Sequence, residues 1–449
     1  MVKFLKITAA IFLLLLVFFA GMSKYRTHQA EQTEIPKNAT SLIQINIDEL
    51  YKTIAVNVLS HPVYYFKSDF KKDTAAAEPD KRFTGLSIPP SIYLYNLANK
   101  PTNVIFSRLE IESIGGFESF IKNVLHLQIT KKTEGINMAK SQPGNLVIYY
   151  NRKAAAFAIA ARIENPEPDL LDILNKKNTV KACESKFKAQ LALKKHVVFS
   201  NQDHSGWIDF RNGQIDFEDV LSSADILPAD RSFQHQQNPD NTLNFYLNAS
   251  FKRGLNQVYR FKNFSLESDS LMKYYNGNLG LEWTNSVTQT DSIITYEYND
   301  NFEKVEKISL QKREIPDFVI RINADTKGLM HYLDHQNILN ADSGTVNKTI
   351  FPLFKVFAKH TDQQLVLSSK KDLKPKTSYT KSADFFTLNI NFQKLNKQLN
   401  LPLINPYLKN LAQLNVKGKA DKSGKINIRG ALRMTNKDIN SLYLLLSSF

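Results

Sequence analysis

A phrase of alternating apolar and polar residues that runs into a helix signal, with Asn at the joint, stands near both ends of the sequence. LIQINIDELYKTI covers Leu42 to Ile54, and TLNINFQKLNKQL covers Thr387 to Leu399. Ile43, Ile45 and Ile47 alternate, as do Leu388, Ile390 and Phe392. A period of 2 puts such residues on one face of a strand. Leu50 and Ile54, like Leu395 and Leu399, then lie four apart, the spacing of one helix face. Looser copies occur around Asn248 and Asn323. The unequal spacing excludes a solenoid and predicts a strand–helix module used repeatedly. Asp48 is expected to cap the first helix, and the joint Asn to satisfy local backbone groups rather than a ligand.

Between these phrases lie hairpin signals. SIYLYNLANKPTNVIFSRLEI is expected to turn at Asn99-Lys100-Pro101, and NLVIYYNRKAAAFAIAARI at Asn151-Arg152-Lys153. Helices are expected from Phe117 to Leu127 and in PDLLDILNKK, with Pro168 in the first turn. NLGLEW, SIITYEY and KVEKISLQK form a predicted meander, with turns at Asn285-Ser286 and Asn299-Asp300-Asn301. LNVKGKADKSGKINIRGALRM is a further hairpin. Thr435 and Asp438 supply a capping box for a last helix in INSLYLLLSSF.

The order of strand pair then helix predicts an α+β fold. Its antiparallel sheets carry helices on one face and are built from repeated strand–helix units. The expected organisation is a signal anchor or signal peptide at 1–23, a spacer at 24–34, and a first α+β domain at 35–235. A second domain at 236–449 is related to the first by internal duplication. The polar segment 67–85 is expected to be an exposed loop.

MVKFLKITAAIFLLLLVFFAGMSKYR holds an uncharged apolar run from Ile7 to Met22, with Lys3 and Lys6 before it and Lys24 and Arg26 after it. Its length falls between a signal-peptide core and a full transmembrane helix. The expectation is one N-terminal transmembrane helix, with residues 4–22 in the membrane and the body exported to the periplasmic or extracellular side. Cleavage would make the protein secreted instead.

Lys and Arg number 58 against 43 Asp and Glu, a net charge of +15. That favours anionic neighbours, such as an anionic lipid or a wall polymer. Aromatic-basic signatures of nucleic-acid binding are missing, so no nucleic-acid partner is expected. The single cysteine, Cys183, excludes an internal disulfide.

Catalytic motifs are missing too. GxSxG, GxxxxGK[ST], HExxH and GxGxxG do not occur. No catalytic residue and no cofactor are expected, and enzyme activity is the lesser expectation. His331 and His335 lie four apart on a predicted helix and are the candidate metal ligands, with Asp334 beside them. Asp203, His204 and Ser205 are adjacent, but a Ser-His-Asp triad is assembled from separate loops, so a polar turn is expected. Glu110 and Glu112 share a strand face, a weak carboxylate pair.

IPKNATSLIQIN, Ile35 to Asn46, and GKINIRGALRMTNKDINSLYLLL at the other end resemble the opening and closing segments of a group of uncharacterised bacterial membrane-anchored envelope proteins. The resemblance covers the ends of the exported part. It implies export and membrane attachment, and supplies no catalytic residues. The expected function is a membrane-tethered envelope protein with a binding or scaffolding role. The competing expectations are an enzyme acting on envelope polymers or lipids, and a lipid carrier with an apolar groove.

Overall fold

A computed structural model describes residues 21–447 apart from 70–83, 134, 223–224, 230–231, 235–237, 253, 255–256, 262–263, 341, 374–379, 400–404 and 422. The chain forms two compact units, one of residues 1–212 with 438–440, the other of 213–437 with 441–449.

In the first unit the strands of the main sheet are β1 (Ala39–Asn46), β2 (Ser91–Leu97), β3 (Ile105–Glu110), β4 (Gln128–Thr133), β5 (Ile136–Lys140), β6 (Leu146–Tyr150), β7 (Ala154–Ile159), β8 (Val197–Ser200) and β9 (His204–Arg211). Every pairing is antiparallel, in the order β9-β8-β1-β2-β3-β7-β6-β5-β4. Helices α1 (Ile47–Ser60), α2 (Ile114–Asn123) and α3 (Glu167–Leu174) accompany it.

Helices α2 and α3 pack on opposite sides of this sheet. Tyr149, Ala154, Ala156 and Ala158 share a core with Leu170, Ile173 and Leu174 of α3. Ile148, Tyr150 and Ala155 share another with Phe117 and Ile121 of α2. Neighbouring residues of one strand point to opposite faces, so the two clusters are the two faces. The expected α+β plan with helices on one face is therefore corrected: the molecule is mostly antiparallel sheet, and its helices are not gathered on one side. The reason is visible in VIYY and AAA. These runs are apolar at every position rather than every second one, as strands covered on both faces require.

In the second unit the strands of the main sheet are β10 (Gln214–Ser222), β11 (Leu243–Leu247), β12 (Tyr275–Tyr298), β13 (Lys304–Ala324), β14 (Leu339–Asn340), β15 (Thr345–Val346), β16 (Phe357–His360), β17 (Gln364–Ser368), β18 (Phe386–Asn391), β19 (Leu411–Ala420) and β20 (Lys425–Met434). They pair antiparallel in the order β10-β20-β19-β18-β11-β12-β13-β17-β16-β15-β14. Its helices include α4 (Thr326–His335), α5 (Phe392–Leu399) and α6 (Ser441–Leu446). Leu329 and Leu333 of α4 pack with Ala324, Leu339 and Leu365. Gly430 sits opposite Phe217, and a Cβ there would lie 2.2 Å from that ring. The missing side chain is what admits the aromatic.

The strand–helix joint is built the same way at the two ends. Asn46 caps α1 by accepting the Glu49 amide at 3.3 Å, and Asn391 accepts the Lys394 amide at 3.0 Å. Asp48, the expected cap, is instead bound by Arg26 through two donors. At the looser copies the joint differs. Asp325 caps α4, while Asn323 accepts from Gln364 at 3.1 Å.

The expected turn at Asn285-Ser286 is corrected as well. β12 runs straight through it with a register shift between Trp283 and Ser286. A bulge inserts a residue and keeps the strand going, where a turn would reverse it. The capping box at Thr435 is not used, because helix begins only at Ser441. Residues 438–440 belong to the first unit, where buried Asn57 holds them. Its amide donates to the Asp438 carbonyl at 2.7 Å, and its oxygen accepts from the Asn440 amide at 2.9 Å and from the Tyr65 hydroxyl.

Among the described residues no helix is long and apolar enough to cross a membrane. The single-pass membrane anchoring expected above is not supported by that finding. The apolar residues 1–20 lie outside the described residues. The helical stretch 21–32 does not extend an apolar span, since it carries Lys24, Arg26 and Glu31 and is tied to the body by the Arg26–Asp48 pair at 2.7 Å. The finding concerns helices alone. Most of the expected loop at 67–85 also lies outside the described residues.

Candidate functional site

The hairpin of β12 and β13 is the feature of the second unit that its core does not explain. Near its base the two strands are flanked, β12 by β11 and β13 by β17, and Ile315 and Val319 are buried. From Ser292 to Tyr298 and from Lys304 to Leu310 they pair with each other. At ~3.4 Å per residue this ribbon is about 24 Å long.

Directly opposed residues share a face in an antiparallel pair. One face therefore carries the pairs Tyr298–Lys304, Tyr296–Glu306, Ile294–Ile308 and Ser292–Leu310. The other carries Glu297–Val305 and Thr295–Lys307, where Lys307 binds Glu297 at 2.7 Å. The first face thus has the pattern of a sheet surface meant for a core, and nothing among the described residues covers it. Tyr296, Ile294, Tyr298, Ile308 and Leu310 are 53%, 56%, 71%, 72% and 74% exposed. Phe302, in the turn, is 87% exposed. Isolated apolar side chains at a surface are ordinary, but a contiguous set of this size on one face marks a contact surface.

Local chemistry holds the ribbon in shape. The Asn299 side chain accepts the amides of Asn301 at 3.0 Å and Glu303 at 2.9 Å, closing the turn. Lys304 lies 4.1 Å above the Tyr296 ring, a cation–π contact. At the base, Gln289 donates to the carbonyls of Lys355 and Ser369, both at 2.8 Å. Asp291 binds Arg313 at 2.8 Å and Lys355 at 3.4 Å. Arg313 above all, then Lys355, hold the Asp291 carboxyl below its ordinary range against the opposing effect of burial. The ribbon is thus anchored by an ionised cluster at one end and free at the other.

The candidates named from sequence sit elsewhere. His331 and His335 are both exposed on α4. Among the described residues no group of three His, Cys, Asp or Glu side chains gathers that could hold a metal ion. His204 and Ser205 open β9, and the turn before them is made by Asn201, which accepts the amides of Asp203 and His204. Glu110 ends β3 and pairs with Arg108 at 3.7 Å, while Glu112 lies beyond the strand.

Sequence reasoning missed a buried network in the first unit. His196 Nδ1 lies 2.6 Å from Asp209 and 2.9 Å from the Phe210 amide, and Nε2 lies 2.9 Å from the Thr53 hydroxyl. The contact to Asp209 needs a proton on Nδ1, and the contact to the amide needs a lone pair. Nε2 also lies 3.3 Å from the Glu49 carbonyl, so the donor and acceptor roles around the ring follow its tautomer. The connectivity is that of a hydrolytic triad, but the imidazole is 7% exposed and the hydroxyl belongs to a residue inside α1. The network ties α1 to β8 and β9. No sequence signal could have found it, because the residues are about 140 and 13 positions apart and belong to no motif. A hollow of about 410 Å³ of mixed lining, beside Asn99, Phe106, Arg162 and Glu164, holds no such cluster.

No family model and no curated protein matches the chain. Among solved structures it is similar to crystal forms IV, I and III of TP0453. Form IV gives a TM-score of 0.27 at 8% identity, covering 42% of this chain and 81% of that one. Form I gives 0.27 at 10%, covering 43% and 80%. Form III gives 0.22 at 8%, covering 75% and 90%. At TM-scores this low the likeness carries no argument about function.

Proposed function

We propose that the protein is a binding or scaffolding protein and that the β12–β13 ribbon is its contact element. The observation that carries this is the uncovered apolar face of Ile294, Tyr296, Tyr298, Ile308 and Leu310. A two-stranded ribbon is marginal in water by itself. One that keeps five large apolar residues on one face gains stability when that face is covered.

The ribbon's charge balance narrows the class of contact. Between 291 and 314 stand four basic residues, Lys304, Lys307, Lys312 and Arg313, and six acidic ones, Asp291, Glu297, Asp300, Glu303, Glu306 and Glu314; 4 − 6 = −2. The whole chain is at +15. An anionic surface would be drawn to the rest of the molecule rather than to this element. The ribbon fits an apolar, protein-like contact with polar edges.

A photo-reactive phenylalanine analogue placed at Tyr296 tests this in cells. The expected result is a covalent adduct to a protein at that position, and none from a control at exposed Lys131. If position 296 gives no more adduct than the control, the ribbon is not a contact element.

A further inference from the structure

We propose that the ribbon's partner is the ribbon of a second copy of this chain, stacked face to face about a twofold axis along the ribbon. This deepens the reading above and rests on it.

The argument is the order of the cross-strand pairs. A twofold parallel to the ribbon, lying between two stacked faces, sets β12 of one copy over β13 of the other. Each residue then meets the type of residue it already pairs with in its own chain. Tyr298 meets Lys304, Tyr296 meets Glu306, and Ile294 meets Ile308. No like charges oppose each other. Each tyrosine ring meets a side chain that suits it, a cation over the ring or a carboxylate at the hydroxyl. Within one chain Lys304 already sits 4.1 Å from the Tyr296 ring. Arms pointing in opposite directions would instead bring Lys304 at the tip over Lys312 near the base, which like charge disfavours. Face and partner are thus self-complementary in the sense a twofold interface requires.

The size is sufficient. At the exposures given above, each copy offers on the order of 600 Å² of apolar surface. Stacking two would remove about 1,200 Å² from water, the lower end of specific interfaces. Two ribbons at −2 each repel one another only weakly compared with the strongly basic remainders of the two copies.

The test uses the full chain. Sedimentation over a wide concentration range is expected to show a monomer–dimer equilibrium, with Ile308→Lys weakening it on the order of tenfold or more. Two differently tagged chains in a Cys183→Ser background, one with Tyr298→Cys and one with Lys304→Cys, are expected to cross-link on oxidation. A Tyr298→Cys chain with a Lys312→Cys chain is not. A protein that stays monomeric at every concentration overturns the self-association, while a photo-adduct from position 296 to a different protein would leave the ribbon a contact element. Cross-linking of the 298/312 pair instead of the 298/304 pair overturns the twofold along the ribbon. A monomer that sediments with phosphatidylcholine vesicles, and loses this on Ile308→Lys, assigns the face to lipid and overturns the proposal.

Discussion

Two hairpins of similar chemistry end in opposite situations. β6 and β7 are covered on both faces, by α2 on one and α3 on the other, and Ile148, Tyr149, Tyr150, Ala155 and Ala156 are all but inaccessible. The outer half of β12 and β13 is equally rich in Ile and Tyr, but no described residue covers either of its faces. The difference lies in what the chain supplies next to each hairpin. β7 is followed within a few residues by α3, and β3 is followed by α2. The turn of the long ribbon leads only back along itself. An apolar strand therefore does not by itself say that it is core; its cover must come from elsewhere in the chain or from outside it.

The sharpest way to break the comparison is to damage the covered hairpin. Phe117→Ala removes a fully buried ring that packs edge-to-face on Tyr150 at 5.3 Å. It is expected to cost about 3–5 kcal/mol in denaturant unfolding of the first unit. A loss below 1 kcal/mol would mean that α2 does not cover this face. Asn57→Ala comes next, at about 2–3 kcal/mol, because it removes the buried hydrogen bonds from Asn57 to the Asp438 carbonyl, the Asn440 amide and the Tyr65 hydroxyl. Limited proteolysis near 438–440 should accelerate in that variant. On the uncovered hairpin, Ile308→Lys is expected to leave the stability of the isolated chain within about 0.5 kcal/mol. A large loss of monomer stability would show that the ribbon's face is covered within the chain after all.

The smallest effect is in acid. Burial acts to raise the Asp209 carboxyl, but Lys195, His196 and Arg211 outweigh it and hold the group below its ordinary range. A carboxylate depressed in the folded state stabilises fully above its unfolded pKa and loses that contribution as pH falls through the folded one. Asp209→Asn should therefore lower the urea midpoint at neutral pH and flatten its decline in acid. An unchanged acid slope would mean that Asp209 carries no folding-linked proton.

Local patterns were legible in the sequence. The hairpins at Asn99–Pro101 and Asn151–Lys153 and the turn at Asn299–Asn301 follow from period 2 and from Asn and Pro at the reversals. The Asn at the strand–helix joint was found by its recurrence, though its capping role at residue 46 was given to Asp48. What failed was whatever depends on distant partners. Asn285-Ser286 has turn chemistry, yet the pairing of β12 with β13 carries the strand through it. The two-sided cover of VIYY depends on helices from sequence segments on either side. The exposure of Ile294 and Tyr296 could not be distinguished from burial, because both states share one alternation.

The clasp of residues 438–440 by Asn57 has a consequence for synthesis. The first unit is nearly all made once residue 212 has been added, but its last three residues come 226 positions later. At ~5–20 residues per second that interval is about 10–45 s. Through it, a nascent first unit holds an open notch where Asn57 waits for its partners. The order of translation thus makes completion of the first unit a late event, coupled to production of nearly the whole of the second.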